Sequence, residues 1–425
     1  MGGQIQNSKL ETRNFFLKCV TCQTEYQPAE IDYTCQKCGP LLGTLDVIYD
    51  TKSIAKELTR NSLAKNSKRN HWRYLPILPI SNSDFIQPLE VGWTPIYRSN
   101  KLEKEWNLKA IWIKDDGRNP TASFKDRASS VAIVKALEKG AKTVTAASTG
   151  NAAASWSAFT ALAGLETFIF VPYNAPKAKL TQLLLYGAKV IQVNGTYDEA
   201  FDLCCQAAEK WGWYNRSTAI NPYLGEGKKT GALEICEQLN WQVPDYVFVS
   251  VGDGCILQGT WKGFKDFYEI GLIDKLPKII GVQAEGSAPL FQAWKQGADR
   301  CEPMIPQTVA DSISVGVPRD QIKALRAVRE SEGQFVTVSD DEILSAISLL
   351  TRKVGVFAEP AGATSMAGLK KLAESGICGK DDHVIVLVTG NGLKDVEGAM
   401  KAMKQHPVIV ENSLEDVERK LSSSN

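Results

Sequence analysis

Nine consecutive residues, Asn119-Pro-Thr-Ala-Ser-Phe-Lys-Asp-Arg127, place a lysine in unusual company. Pro120, Thr121 and Ser123 precede Lys125 at the predicted start of a helix. Most lysines are solvated surface cations. In a partly dry pocket, however, the ammonium form is destabilised and the free amine becomes available for Schiff-base chemistry. The Ser123 hydroxyl is close enough in sequence to bind a phosphate or relay a proton beside that amine.

A second set is four cysteines: Cys19 and Cys22, a 12-residue spacer, then Cys35 and Cys38 followed by Gly39. Each Cys-x2-Cys turn can present two thiolates to one tetrahedral zinc, and four thiolates leave no open position for catalysis. Gly39 permits the tight turn after the last ligand. The plainer alternative is four buried thiols without metal. A nucleic-acid-binding ribbon is poorly supported, because the segment lacks a dense basic and aromatic face.

The third set is three small, glycine-containing turns: Ser148-Thr-Gly-Asn151, Gly252-Asp-Gly-Cys255 and Thr389-Gly-Asn-Gly392. Each follows an apolar, β-rich run and is expected to lead into a helix, where free backbone N–H groups receive anions. The 252–255 turn does not meet the GxGxxG spacing, which argues against a plain dinucleotide site. Its Asp253 carboxylate would repel a dianion, so it is expected to turn away and leave binding to the backbone.

The elements that must carry these turns are legible as alternation. Strands are predicted at Ala110–Ile113, Thr143–Ala147, Thr167–Val171, Lys189–Val193, Tyr246–Val251, Ile279–Gln283, Phe335–Val338 and Val384–Val388. Helices are predicted at Lys177–Leu185, Tyr197–Lys210, Gly231–Leu239 and Glu342–Lys353, the last opened by a Ser339-Asp-Asp-Glu342 capping box. Such alternation means parallel sheets covered on both faces, with ligands beyond the carboxyl ends of the strands. Thr51–Asn70 is polar and basic and reads as a helix and a solvated connection.

Composition sets the outer bounds. A chain of 425 residues exceeds one compact core, so two or three units are expected. A net charge of +1 gives no general attraction to nucleic acid or anionic membrane. No apolar run reaches membrane-spanning length. Ten cysteines without a secretory signal point to a reducing, cytoplasmic setting. His71, His383 and His406 are the only histidines, little material for a histidine-based triad.

The ordered segments resemble the threonine synthase-like family of fold-type II pyridoxal-phosphate enzymes. Asn119–Arg127 resembles its cofactor-lysine motif, and Trp93-Thr-Pro-Ile96 its upstream turn. Ser148–Ala153 resembles its Ser/Thr-Gly-Asn loop. Ala358-Glu-Pro-Ala-Gly-Ala363 and Thr389–Asp395 resemble its C-terminal signatures. A subset of the family also carries an N-terminal four-cysteine element. The resemblance implies an α/β fold with two doubly wound parallel-sheet domains. Residues 1–48 would form a zinc-ribbon-like element and 49–84 a linking helical segment. Residues 85–142 and 236–405 would form the large cofactor domain, 143–235 the small closure domain, and 406–425 a tail.

The resemblance also implies roles. Lys125 would bond pyridoxal 5'-phosphate and then act as general acid and base. Asn151 would hydrogen-bond the cofactor's phenolic oxygen, and Thr389 would face its ring nitrogen. Gly252, Asp253, Gly254, Cys255 and Ile256 would bind its phosphate. Ser148, Thr149, Gly150 and Asn151 would cradle the substrate carboxylate, with Ser123 and Asn221 nearby. The implied reaction converts O-phosphohomoserine and water to threonine and phosphate, in a cytoplasmic homodimer that binds neither nucleic acid nor membrane. The family's Asn-Ser-x-Asn-Pro-x-Arg segment is altered here to Thr218-Ala-Ile-Asn-Pro-Tyr-Leu224. Leu224 cannot replace an arginine on phosphate. Lys228, Lys229 and Lys179 are candidate substitutes, although Lys228 and Lys229 also read as a solvated pair. The alternatives are β-elimination or β-replacement on serine, threonine or phosphoserine, and, more remotely, a zinc-ribbon binding protein with an inactive enzyme body.

Overall fold

The structure is a computed structural model that describes residues 15–148, 150–173, 175, 177–403 and 407–422. The expected 1–48 element is therefore described from Phe15 onward, and His406 at the start of the expected tail lies outside the described residues.

Strands β1 (Phe15–Cys19), β2 (Glu25–Tyr26) and β3 (Leu45–Tyr49) form an antiparallel sheet in the order β2-β1-β3. Next come β4 (Ile96–Arg98), β5 (Ala110–Asp115), β6 (Thr143–Ala147), β7 (Glu166–Pro172), β8 (Lys189–Val193) and β9 (Tyr214–Asn215). The last four are β10 (Tyr246–Ser250), β11 (Lys278–Ala284), β12 (Gln334–Val338) and β13 (His383–Val388). A four-stranded parallel sheet has the order β8-β7-β6-β9, and a six-stranded sheet the order β12-β11-β10-β13-β5-β4. Only the edge strand β4 runs antiparallel in the larger sheet.

The strand sequences explain this layering. β13 reads His-Val-Ile-Val-Leu-Val and is buried from Val384 onward, as a central strand covered on both faces must be. Each of the eight expected strands forms, with ends within one residue or two of those predicted. The Ser339 capping box forms and starts the helix Asp340–Val354. Thr196 and Glu199 make another at the helix Tyr197–Trp211.

Three expectations change. Thr51–Asn70 is not a solvated connection: helices Thr51–Glu57 and Arg60–Lys65 bury Leu58 and Leu63, and Arg60 donates to the Leu272 carbonyl at 2.6 Å. The helix expected from Gly231 begins earlier, at Leu224. The turn after β13 enters a 3-10 turn, Gly392–Lys394, rather than a full helix, with Asn391 accepting from Leu393 N. No helix of the described residues is long and apolar enough to cross a membrane.

Candidate active site

Lys125 opens the helix Lys125–Glu138, and the preceding motif is pinned on both sides. Asp126 accepts from the Thr121 N–H at 2.7 Å and from its hydroxyl at 2.5 Å. Phe124 N donates to the Thr389 carbonyl at 2.8 Å, and Asn391 N to the Ala122 carbonyl at 3.0 Å. Ala122 sits at φ +64°, a left-handed conformation unusual for a residue with a Cβ. These bonds tie the lysine motif to the turn after β13.

A buried ionic network fixes the helix behind it. Arg127 meets Asp116 at 2.6 Å and Glu234 at 2.6 Å, and Lys114 meets Glu234 at 2.7 Å. Burial alone would raise the Glu234 carboxyl, but the Arg127 and Lys114 charges overcome it and hold it down at about 2.

A cavity of about 670 Å³ opens at the carboxyl ends of both parallel sheets. Lys125, Ser148, Gly150 and Asn151 line it, together with Gly252, Asp253, Gly254, Cys255, Ile256 and Thr389. Thr149 lies outside the described residues. The Lys125 amine is lowered to about 8, first by burial and then by the nearby Lys228 and Arg216 charges. Asn151 donates to Glu359 Oε1 at 2.7 Å. Burial raises the Glu359 carboxyl to about 7 against that hydrogen bond and the Lys125 charge.

The 252–256 turn meets the helix Cys255–Glu269, whose first-turn N–H groups have no intrahelical acceptor. Its glycines are needed for space. A Cβ on Gly252 would lie 2.9 Å from Ile313 Cα, and one on Gly254, at φ +91°, 2.5 Å from Ala324 Cβ. The Asp253 carboxylate accepts from Arg319 N at 3.1 Å.

Two expected site residues do not line the cavity. Asn221 is buried in a chain corner, where its amide donates to Tyr214 Oη at 2.7 Å and Asn215 O at 3.2 Å, and its side-chain oxygen accepts from Tyr223 N at 3.1 Å. All its polar atoms are thus occupied by the protein itself. Ser123 is fully buried, and its Oγ accepts from Lys125 N at 3.4 Å. Nor are Lys228 and Lys229 a solvated pair: both are buried. Lys229 pairs with Glu226 and Asp266 at 2.6 Å each, whereas Lys228 lines the cavity. Lys179 pairs with Asp311.

Sequence reading missed Arg216 and gave Glu359 no role, although both line the cavity. Arg216 directly follows the two-residue β9, too short to register as a strand. Recognising β9 would have placed Arg216 at a strand's carboxyl end.

In the N-terminal segment, the Sγ atoms of Cys19, Cys22, Cys35 and Cys38 all lie within 4.8 Å of one another.

The pyridoxal-phosphate dependent enzyme family model matches residues 88–390. The threonine synthase of Methanocaldococcus jannaschii is 43% identical over 404 residues, covering 95% of this chain and 98% of that protein. The threonine synthase of Methanosarcina acetivorans is 39% identical, again across 95% and 98% of the two chains. Among solved structures, the processed threonine deaminase isoform 2 of Solanum lycopersicum matches with a TM-score of 0.62 at 23% identity. That match covers 73% of this chain and 87% of the other, and shows the shared fold. With the lysine, the three turns and the cavity in place, the chain belongs to the pyridoxal-phosphate dependent enzymes of fold type II, in the threonine synthase family.

Proposed function

We propose that this enzyme converts O-phosphohomoserine and water to threonine and phosphate. The observation that carries the reading is the half-buried Lys125, its amine lowered to about 8 and flanked by two glycine-containing turns at the carboxyl ends of two sheets. That the Methanocaldococcus jannaschii and Methanosarcina acetivorans relatives are threonine synthases supports the choice of reaction.

The cavity fits pyridoxal phosphate. The free N–H groups and close-packed glycines of 252–256 suit its phosphate, and Lys125 is the amine to hold it. When bound, the cofactor supplies an electron sink for charge developing on the amino acid. Lys125, whose amine is lowered to about 8, takes the Cα proton, releases it, and as free amine again takes a Cβ proton. Phosphate leaves Cγ with the C–O bonding pair, Cγ takes up a proton and becomes the methyl, a water oxygen bonds to Cβ while the water proton passes to the released phosphate, and Lys125 returns a proton to Cα. Asn151, supported by Glu359, would orient the ring, and Thr389 would face its nitrogen. Ser148, Thr149 and Gly150 receive the substrate carboxylate.

The four cysteines hold a structural zinc on this reading. A tetrahedron with Zn–S bonds of about 2.3 Å has edges of about 3.8 Å. The Cys22–Cys35 separation of 3.6 Å and the overall spread within 4.8 Å suit it. Residues 143–235 act as a closure unit against 85–142 and 236–405, with the cavity lined from both sheets. Residues 1–48 form the zinc element, 49–84 a connecting segment and 406–425 a tail. A cytoplasmic homodimer completes the reading. None of the ten cysteines is in a disulfide, and exposed Phe357 and Leu393 offer apolar surface to a second copy.

The test compares kcat/KM for O-phosphohomoserine with serine, threonine and phosphoserine, scoring threonine, keto acid and phosphate. We expect O-phosphohomoserine to win by at least about a hundredfold, with threonine and phosphate released in equal amounts. Keto acid from serine or threonine as the main product would instead assign β-elimination. A purified protein that takes up no cofactor would point to an inactive enzyme body.

A further inference from the structure

The fold neutralises its buried cations with care. Lys114 meets Glu234 at 2.7 Å, Arg127 meets Asp116 at 2.6 Å, and Lys229 meets Asp266 at 2.6 Å. Two cations break this habit, and both line the cavity. Arg216 is 2% exposed, yet among the described residues its Nε has no hydrogen-bond partner and its one side-chain bond is a long 3.4 Å contact to Ser129 Oγ. Lys228 is 3% exposed and makes no hydrogen bond or ion pair among the described residues. Burial drives both groups toward weaker protonation. An uncompensated buried charge is strongly unfavourable, so two side by side imply an anion that belongs between them.

The cavity's own acids make their bonds elsewhere, and the nearby Asp253 and Asp320 favour the Lys228 charge only at longer range. Asp253 accepts from Arg319 N, Asp198 pairs with Arg319, Asp311 pairs with Lys179, and Glu359 accepts from Asn151. Two cations match the charge of about −2 on a phosphate monoester. The cofactor carries one such group, for which the 252–256 turn supplies backbone donors on the six-stranded-sheet side. Arg216 and Lys228 arrive from the end of β9 and the helix Leu224–Gln238, and both lie near Cys255 of that turn. The backbone donors of the turn serve the cofactor's phosphate, which leaves the two side-chain cations for a second one.

We propose that Arg216 and Lys228 grip the phosphate ester of the amino-acid substrate and set the enzyme's preference for it. This rests on the reaction proposed above. An amino acid without the anion would enter and leave both cations unpaired, which is how a polar site rejects a substrate lacking the matching group. Fixed cations also stabilise the phosphate as it departs with its extra charge.

The test uses the cofactor-loaded enzyme and four variants: Arg216→Met, Lys228→Met, Arg216→Lys and Lys228→Arg. Calorimetric titration with inorganic phosphate reads the site without turnover. Each methionine variant is expected to bind phosphate at least about tenfold more weakly and to lose roughly a hundredfold in kcat/KM for O-phosphohomoserine. The charge-conserving variants should recover part of both, and cofactor affinity, measured by titrating apoenzyme, should stay within about threefold. Wild-type enzyme that binds no phosphate, or methionine variants that bind it normally, would overturn the proposal. So would loss of cofactor affinity in step with phosphate binding, which would assign the pair to the cofactor. If phosphate binds as expected but O-phosphohomoserine is not turned over, the reaction reading falls. The site then stands for another phosphate ester, such as phosphoserine.

Discussion

Lys125 owes its chemistry to its neighbours. A solvated lysine would be locked as ammonium, whereas burial and the Lys228 and Arg216 charges bring this amine to about 8. Lys125→Ala should yield folded protein that borohydride cannot fix to the cofactor, with turnover reduced by at least about a thousandfold. Lys125→Arg should fail equally, because a guanidinium has no free amine. Reduction that attaches the cofactor to a different lysine would refute the assignment. Lys125 was legible because its signal is local, a lysine framed by small polar residues and proline. Arg216 was not, since its meaning comes from a strand of two residues and from the lack of an ion-pair partner among the described residues. Asn221 shows the opposite failure. Its residue type suits a substrate, but sequence cannot reveal that Tyr214, Asn215 and Tyr223 already occupy its amide.

The helices behind Lys125 are held by Arg127, Asp116, Glu234 and Lys114, and removing one partner strands the others. Glu234→Ala should lower stability by about 3–5 kcal/mol in urea titration, because Arg127 and Lys114 then lose a buried counter-charge. The pH dependence has a definite sign. Glu234 falls from 4.5 to about 2 on folding, so its contribution is full above about 4.5 and is lost as pH falls toward 2. The stability gap between wild type and Glu234→Gln should therefore narrow as pH drops through that window, and a constant gap would count against this. The strands were readable within a residue or two because buried parallel strands have a strong composition. The start of the helix Leu224–Gln238 was not, since Gly225 and Gly227 weaken helical propensity. Gly227 serves packing instead: a Cβ there would lie 1.9 Å from the Arg127 carbonyl oxygen. The local preference yields to close approach of two helices.

Across the whole molecule, sequence spacing points to a cysteine element but does not reveal its docking. β3 ends on Tyr49, whose hydroxyl donates to Glu226 Oε2 at 2.6 Å. Glu226 lies two residues before Lys228 on the same helix. Asp46, also on β3, faces Lys323 and Arg326, and Lys323 Nζ donates to the Leu45 carbonyl at 2.8 Å. Burial opposes ionisation of Asp46, but those two cations prevail and hold its carboxyl at about 2. The cysteine element is therefore anchored to a helix that lines the cavity. If Cys19, Cys22, Cys35 and Cys38 bind zinc, folding of the element and metal binding are one process. Metal analysis should find one zinc per chain. A strong chelator should then expose four titratable thiols, lower the melting temperature and raise KM for O-phosphohomoserine more than it lowers kcat. The split follows from the anchor: loosening Tyr49 from Glu226 disturbs the Lys228 turn, while Lys125 remains held by the Thr389 and Arg127 contacts. Zinc-free protein with the same melting temperature before and after chelation would remove the metal from this account. A purely catalytic loss, with KM unchanged, would remove the link between the element and the anion-binding helix.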